Sequence, residues 1–483
     1  MPEDNRIVFN GIDGITGQYL VAPMEVKELL ALVRDEQRKP GMLDMLARVW
    51  RNISQPFLGL PLGIDPGNVS QAGWGVVIHS DEDPAVKRAL EPLIEHRRRQ
   101  SSNPDLVHVL EYKPDDTWET WLSRYGSAAG SINPRLVPYY LLLVGSPQQV
   151  PFEFGHLLDV EYAVGRLHFD TASEYSAYIE GVIDYETCRS VPNGKEAVFF
   201  GTRHPFDRAT QMSADYLVEP LASGSQPAAG KPANPGTAER WGYRTRKILG
   251  AAASRASLQE AICPAGGTSS PALLFTASHG VGFPRGHALQ KTTQGALLCQ
   301  DWPGFGSIQP THYFSAADIP AEAQVQGMVM FHFACYGGGT PQVDNYLHQP
   351  NQPPPAIADE AFIAALPKAW LTHPRGGSLA CIGHVERAWG YSILPPNTGP
   401  QIQTFENSIG RILTGQPLGF ALKDFNERYA ALSTALTARL QRAGWGETPE
   451  PDELASSWIE RNDAEGYILI GDPAVRLRVD DLA

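Results

Sequence analysis

From residue 73 onward, short runs of consecutive apolar residues alternate with longer stretches whose apolar positions recur every three or four residues. The short runs predict buried strands over Gly73–Ile78, Val107–Leu110, Tyr139–Val144, Ala197–Phe200 and Thr245–Leu249. Two more end at reactive side chains, Leu273-Leu-Phe-Thr-Ala-Ser-His279-Gly280 and Met328-Val-Met-Phe-His-Phe-Ala-Cys335-Tyr-Gly-Gly-Gly339. Between them the helical period predicts helices over Trp118–Tyr125, Ala172–Thr187, Ala209–Leu221 and Ser257–Ile262. Asp83-Pro84, an N-cap with proline at the first helical position, opens a further helix carrying Val86, Leu90 and Leu93 on one face. Later stretches read as helices over Gln403–Leu413 and Leu418–Gln441, with Gly444 at the C-cap. Strand–helix alternation of this kind predicts an α/β fold with a mainly parallel sheet covered by helices on both faces.

The chain divides into an N-terminal extension, residues 1–70, and two subdomains, 71–255 and 256–483, the second holding both reactive residues. The extension carries one helical stretch, Met24–Glu36. Ser223–Gly236, rich in Gly, Pro, Ala and Ser, reads as a surface loop. Gly337–Pro355, with three consecutive glycines and later Pro353-Pro-Pro355, reads as a long loop without regular structure immediately after Cys335.

Composition narrows the classes of partner. A net charge of −14 disfavours nucleic acid and anionic membrane as bulk partners. The basic run His96-Arg-Arg-Arg99 fits the solvated end of a helix. Five widely spaced cysteines argue against a disulfide framework and for a reducing compartment. The N-terminus has neither a basic start nor a long apolar stretch, and no run approaches the roughly 18 apolar residues of a membrane span. A cytoplasmic location is expected.

His279 and Cys335 carry the chemistry. A buried strand delivers its last residues, rigidly held, to the edge of a sheet, where glycine allows close approach of another backbone. An imidazole and a thiol on neighbouring edges can form a thiolate–imidazolium nucleophile. His332, three residues before Cys335, points to the opposite face of its strand, and neither CxxC nor HExxH is present. No metal and no cofactor are therefore expected.

The order and spacing, His-Gly closing one apolar run and Ala-Cys closing another 56 residues later (positions 279 and 335), resemble clan CD cysteine peptidases. The likeness is to their gingipain-like, caspase-fold branch in bacteria. Ser278-His279-Gly280 and Ala334-Cys335 resemble that clan's two signature blocks. Tyr139–Gly145 with Gln149–Phe152, Glu161-Tyr-Ala-Val-Gly-Arg166-Leu and Tyr467-Ile-Leu-Ile-Gly-Asp472-Pro-Ala-Val-Arg-Leu477 are similar to further gingipain blocks. The resemblance runs from about residue 70 to the end. It implies two caspase-like subdomains, 71–255 without the nucleophile and 256–483 with the His/Cys dyad, and a peptide-bond hydrolase in which Cys335 attacks and His279 protonates the leaving amine. It further implies an oxyanion hole from the backbone N–H groups of Gly280 and Cys335. By the same resemblance Glu161 is the acid that orients His279, with Asp159 in reserve. The strand Ser378–Ile382 then leads into a loop lining the first substrate pocket, with Glu386, Arg387 and Trp389 as substrate-binding candidates. An acidic, basic or apolar P1 residue all stay open, and Glu386 and Arg387 can also pair with each other.

The expected partner is a protein or peptide substrate, with no nucleic acid and no membrane span. Proteases of this branch serve in defence or programmed death by activating a pore-forming or toxin effector, which the resemblance extends to this chain. Two other classes stay open: a catalytically silent caspase-fold adaptor, and an acyltransferase using the same cysteine.

Overall fold

The computed structural model describes residues 6–8, 10–30, 60–101, 103–225, 234–264, 268–304, 306–344, 353–388, 390–395, 399–444 and 450–483. Ten strands build the central sheet: β1 (Trp74–His79), β2 (Val107–Tyr112), β3 (Tyr140–Val144), β4 (Ala163–Leu167), β5 (Asn193–Gly201), β6 (Arg244–Leu249), β7 (Ser270–Ala277), β8 (Val329–Phe333), β9 (Ala380–His384) and β10 (Tyr467–Gly471). They lie in the order β2-β1-β3-β4-β10-β9-β8-β7-β5-β6. Every neighbouring pair is parallel except β9–β10, so an antiparallel seam joins two parallel halves. All residues of β1, β3, β7 and β8 are buried. Successive side chains point to opposite faces, so burial of every one requires cover on both faces, as the apolar runs predicted. The edges differ. β2 alternates buried and exposed positions, and β6 presents Arg244, Arg246 and Lys247, charges that discourage pairing with another chain.

The halves do not divide at residue 255. β5 and β6, which precede that position, sit beside β7, whereas β10 from the end of the chain returns to pair with β4. The crossing between halves falls between β4 and β5. What draws β10 back is a buried charge cluster. Asp472, directly after β10, accepts from Trp74 Nε1 at 2.9 Å and from Arg97 Nη2 at 2.7 Å, and Arg97 also pairs with Glu186 at 2.7 Å. His96 and Arg97 are thus buried structural groups and not part of a solvated basic end.

Helix α1 (Pro84–Gln100) starts where Asp83 accepts from Ala85 N, and α2 (Ala172–Thr187) starts in a Thr171/Glu174 capping box. The helical run expected over 209–221 is α at α3 (Arg208–Ser213), π over Ala214–Val218 and α again over Glu219–Ser223. Pro220 has no N–H to complete a regular ladder there. The stretch Leu418–Gln441 breaks at Leu422 into Leu418–Ala421 and α4 (Lys423–Gly444). The break turns Lys423 inward, where its Nζ donates to the carbonyls of Val160 and Tyr162 at 3.0 and 2.8 Å. A helix not anticipated, α5 (Pro451–Glu465), packs on α4.

Residues 7–8 and 10–24 form a hairpin. Ile7 and Met24 exchange both backbone bonds, Leu20 N donates to Gly11 O, and Asp13 N to Gln18 O. Its turn is held by Asp13 Oδ1, which accepts from Ile15 N and Thr16 N. Residues 26–30 are helical, and the rest of the helix expected to Glu36 lies outside the described residues. In the stretch after Cys335, Gly339–Thr340 pairs with Phe362–Ile363 as a short antiparallel ribbon, while 345–352 lie outside the described residues.

Candidate active site

The sheet register sets the spacing of the two reactive residues. Phe333, the last residue of β8, lies opposite Ala277, the last residue of β7. His279 and Cys335 each stand two residues further on, so the 56-residue interval seen in the sequence is the register itself. Gly280 fits between them for a steric reason. A Cβ there would lie 1.8 Å from the Cys335 carbonyl oxygen, so only glycine lets this turn rest on the Cys335 backbone.

His279 is held at both ring nitrogens. Gly11 N–H donates to Nδ1 at 2.7 Å, so Nδ1 bears a lone pair and Nε2 carries the proton given to Asp207 Oδ2 at 2.6 Å. Asp207 also accepts from the Tyr19 hydroxyl and from Thr210 Oγ1, and it caps α3 by accepting from Ala209 N. Burial alone would raise its carboxyl, but His279 and these donors together hold it well below the usual carboxylate range. The Tyr19 hydroxyl is pushed far up, by burial first and then by Asp207, and its ring meets His279 edge-on at 5.7 Å.

Cys335 ends in a closed pocket, and it and His279 are each 0% exposed. Its Sγ contacts the Asn10 carbonyl and accepts from Ala388 N at 3.2 Å. Burial pushes the thiol up to about 12, against smaller lowering effects of the Ala388 N–H and Arg387. In this arrangement the cysteine is protonated at neutral pH and solvent cannot reach it.

The other sequence-derived candidates fall elsewhere. Glu161 accepts from Gly130 N at 2.7 Å and sits beside β4, separated from β7 by β10, β9 and β8. The carboxylate at the imidazole is therefore Asp207 and not Glu161, and Asp159 bonds Val164 N at 2.8 Å. Glu386, with φ +69°, and Arg387 are buried together. Arg387 makes a two-pronged pair with Asp344 at 3.0 and 2.7 Å and reaches Glu386 at 2.5 Å, which is the mutual pairing left open above. Trp389 lies outside the described residues. No hydrogen bond of the Gly280 or Cys335 N–H occurs among the described residues. His332 Nδ1 pairs with Thr276 Oγ1 at 2.8 Å and its Nε2 accepts from Trp370 at 3.2 Å. Among the described residues no group of three or more His, Cys, Asp and Glu side chains could hold a metal, and no helix is long and apolar enough to cross a membrane.

Asp207 escaped the sequence reading although it stands at a legible position, the N-cap of a helix that follows a strand. What hid it is strand order. β6 intervenes in the chain between β5 and β7, so nothing in the sequence says that the residue six positions past β5 reaches the turn after β7.

The sequence model of peptidase family C25 matches residues 75–478. One solved structure, described as "Structure of Protease", is similar at a TM-score of 0.45 and 11% identity over 84% of this chain and 78% of that one, too slight a likeness to bear on function. No curated protein matches.

Proposed function

The chain belongs to peptidase family C25 and is a cysteine peptidase, and on that premise we propose that Cys335, His279 and Asp207 are its catalytic group. The observation that carries the assignment is the shared register, in which Cys335 and His279 each stand two residues past paired strand ends, with Nε2 of the imidazole on a buried carboxylate. Cys335 attacks the peptide carbonyl as its proton passes to His279 Nδ1. His279 then gives that proton to the leaving amine, and water hydrolyses the thioester. Asp207 fixes the tautomer and favours the imidazolium formed between the two transfers. The N–H groups of Gly280 and Cys335, which have no partner among the described residues, are the donors for the oxyanion, each worth about 10²–10³ in rate.

The substrate is a protein or peptide laid along the edge of Val281–Gly282 and the Ala388 carbonyl, positions the hairpin now occupies. Such a closed cleft fits a regulated endopeptidase of specific partners, in a setting such as defence or programmed death where a pore-forming or toxin effector is cut. All five cysteines are free, which suits a reducing cytoplasm.

A cysteine-directed peptide electrophile tests the nucleophile. Treatment of the Tyr19→Phe chain, followed by peptide mapping, should place the adduct on Cys335 faster than in the wild type, and adding His279→Ala should slow it. Adducts on the partly exposed Cys188 or Cys263 with Cys335 unmodified in Tyr19→Phe would contradict the assignment.

A further inference from the structure

Asp207 gathers more donors than the cap of a short helix needs. Ala209 N–H, 3.1 Å from Oδ1, already serves the capping position, yet Thr210 Oγ1 also reaches Oδ2 at 2.7 Å. A threonine in a helix can bond back to a main-chain carbonyl. Here that carbonyl, Asp207 O, stands at 3.3 Å, farther away than the carboxylate oxygen. The direction of the single hydroxyl proton follows. His204 N–H donates to Oγ1 at 3.1 Å and takes up its lone-pair side, so the proton lies toward the nearer and charged acceptor, Oδ2. This is the oxygen that also accepts from His279 Nε2.

His204 is itself pinned. Its carbonyl accepts from Asp207 N at 3.2 Å and from Gln211 Nε2 at 3.0 Å. Two residues earlier, Thr202 N donates to Ala277 O, the end of β7, at 3.1 Å. Thr210, which is fully buried, thus ties the carboxylate to the strand ends that place His279. The other hydroxyl on Asp207 is Tyr19, which belongs to the hairpin lying over Cys335. A substrate occupies the positions the hairpin now fills, so Tyr19 leaves with the hairpin, whereas Thr210 stays on α3.

Resting on the catalytic group assigned above, we propose that Thr210 is a positioning residue of this peptidase, its hydroxyl holding Asp207 Oδ2 in line with His279 Nε2 while substrate fills the cleft. Thr210 touches no substrate and transfers no proton. Without its hydroxyl and without Tyr19, the carboxylate is anchored at Oδ1 by Ala209 N–H and turns about its Cβ–Cγ bond. The imidazole then lacks a fixed acceptor at the moment it becomes a cation, and the carboxylate must reorganise during the step. The cost falls on the transition state, so kcat drops and KM does not.

A double-mutant cycle tests this, run on the peptide that the wild type cuts best in a mixed library. The chains are wild type, Thr210→Val, Thr210→Ser, Asp207→Asn and the double variant Thr210→Val/Asp207→Asn. Thr210→Val should lower kcat about tenfold, the scale of one hydrogen bond to a charged group, and change KM less than about twofold. Thr210→Ser, which keeps the hydroxyl, should recover kcat to within about threefold of the wild type. In the Asp207→Asn background, Thr210→Val should change kcat less than about twofold, because the carboxylate it positions is gone. An equal fall in both backgrounds, or a Thr210→Ser as slow as Thr210→Val, would reduce Thr210 to packing and overturn the proposal. An unimpaired Thr210→Val beside an impaired Asp207→Asn overturns the positioning by Thr210 and leaves the catalytic group standing. An Asp207→Asn chain as fast as the wild type, or a wild type that cuts no peptide, overturns the catalytic group and the proposal with it.

Discussion

Glu161 and Asp207 lie at the same edge of one sheet, in opposite halves, and both are buried acids. Their surroundings make them different reagents. Asp207 meets an imidazole N–H, two hydroxyls and a backbone N–H, so its charge is compensated and its carboxyl is held low. Glu161 meets one backbone N–H and a more distant Lys423, and burial pushes it up to about 7. Four strand spacings, about 19 Å along the sheet, separate its strand from β7. An acid beside a histidine is thus defined by the donors that converge on it and by strand order, and a sequence block containing an acid supplies neither.

Exchanging the acids for their amides probes the contrast most strongly. Asp207→Asn should lower kcat/KM on the order of 10²-fold, the scale of a positioned proton transfer, while Glu161→Gln should change it less than about twofold. The reverse ranking in a steady-state assay would return the orienting role to Glu161.

Loosening the hairpin sharpens the picture from the other side. Tyr19→Phe removes a hydrogen bond to a charged acceptor, worth about 1.5–3 kcal/mol, so alkylation of Cys335 should accelerate about tenfold or more. An unchanged rate would mean that the Tyr19–Asp207 contact does not hold the cleft shut.

The smallest effect on catalysis belongs to Glu161, whose imprint is on stability. Its folded value, about 7, lies above the 4.5 of an unperturbed Glu. Between those values the folded chain holds a proton the unfolded chain has lost, so stability falls as pH rises through that window, by a few kcal/mol at most. Glu161→Gln should flatten the dependence of denaturant midpoint on pH between 4.5 and about 7. An equally steep dependence in the variant would place its origin in another group.

Much of this architecture is legible in the sequence because its signals are local. The apolar runs at β1, β3, β7 and β8 are buried on both faces and need no knowledge of their neighbours. His279 and Cys335 are readable for the same reason, each being fixed by the strand that ends just before it. What was not legible depends on contacts between distant segments. Asp207 required the adjacency of β5 and β7 across an intervening β6. The buried role of Arg97 required Asp472, 375 residues away. The hairpin of residues 10–24 turns at Asp13, yet its place over Cys335 follows from backbone bonds that no periodicity encodes. The subdomain boundary near 255 went astray because a gap between local patterns does not reveal which strands become neighbours.

The central claim, that a cysteine and a histidine two residues past paired strands form the hydrolytic site of this peptidase, is most directly tested by digesting a mixed peptide library with the wild type, Cys335→Ala and His279→Ala. Hydrolysis by the wild type that both substitutions abolish is the predicted result, and the cut sites would report the first-pocket preference. Hydrolysis that survives Cys335→Ala would contradict the account.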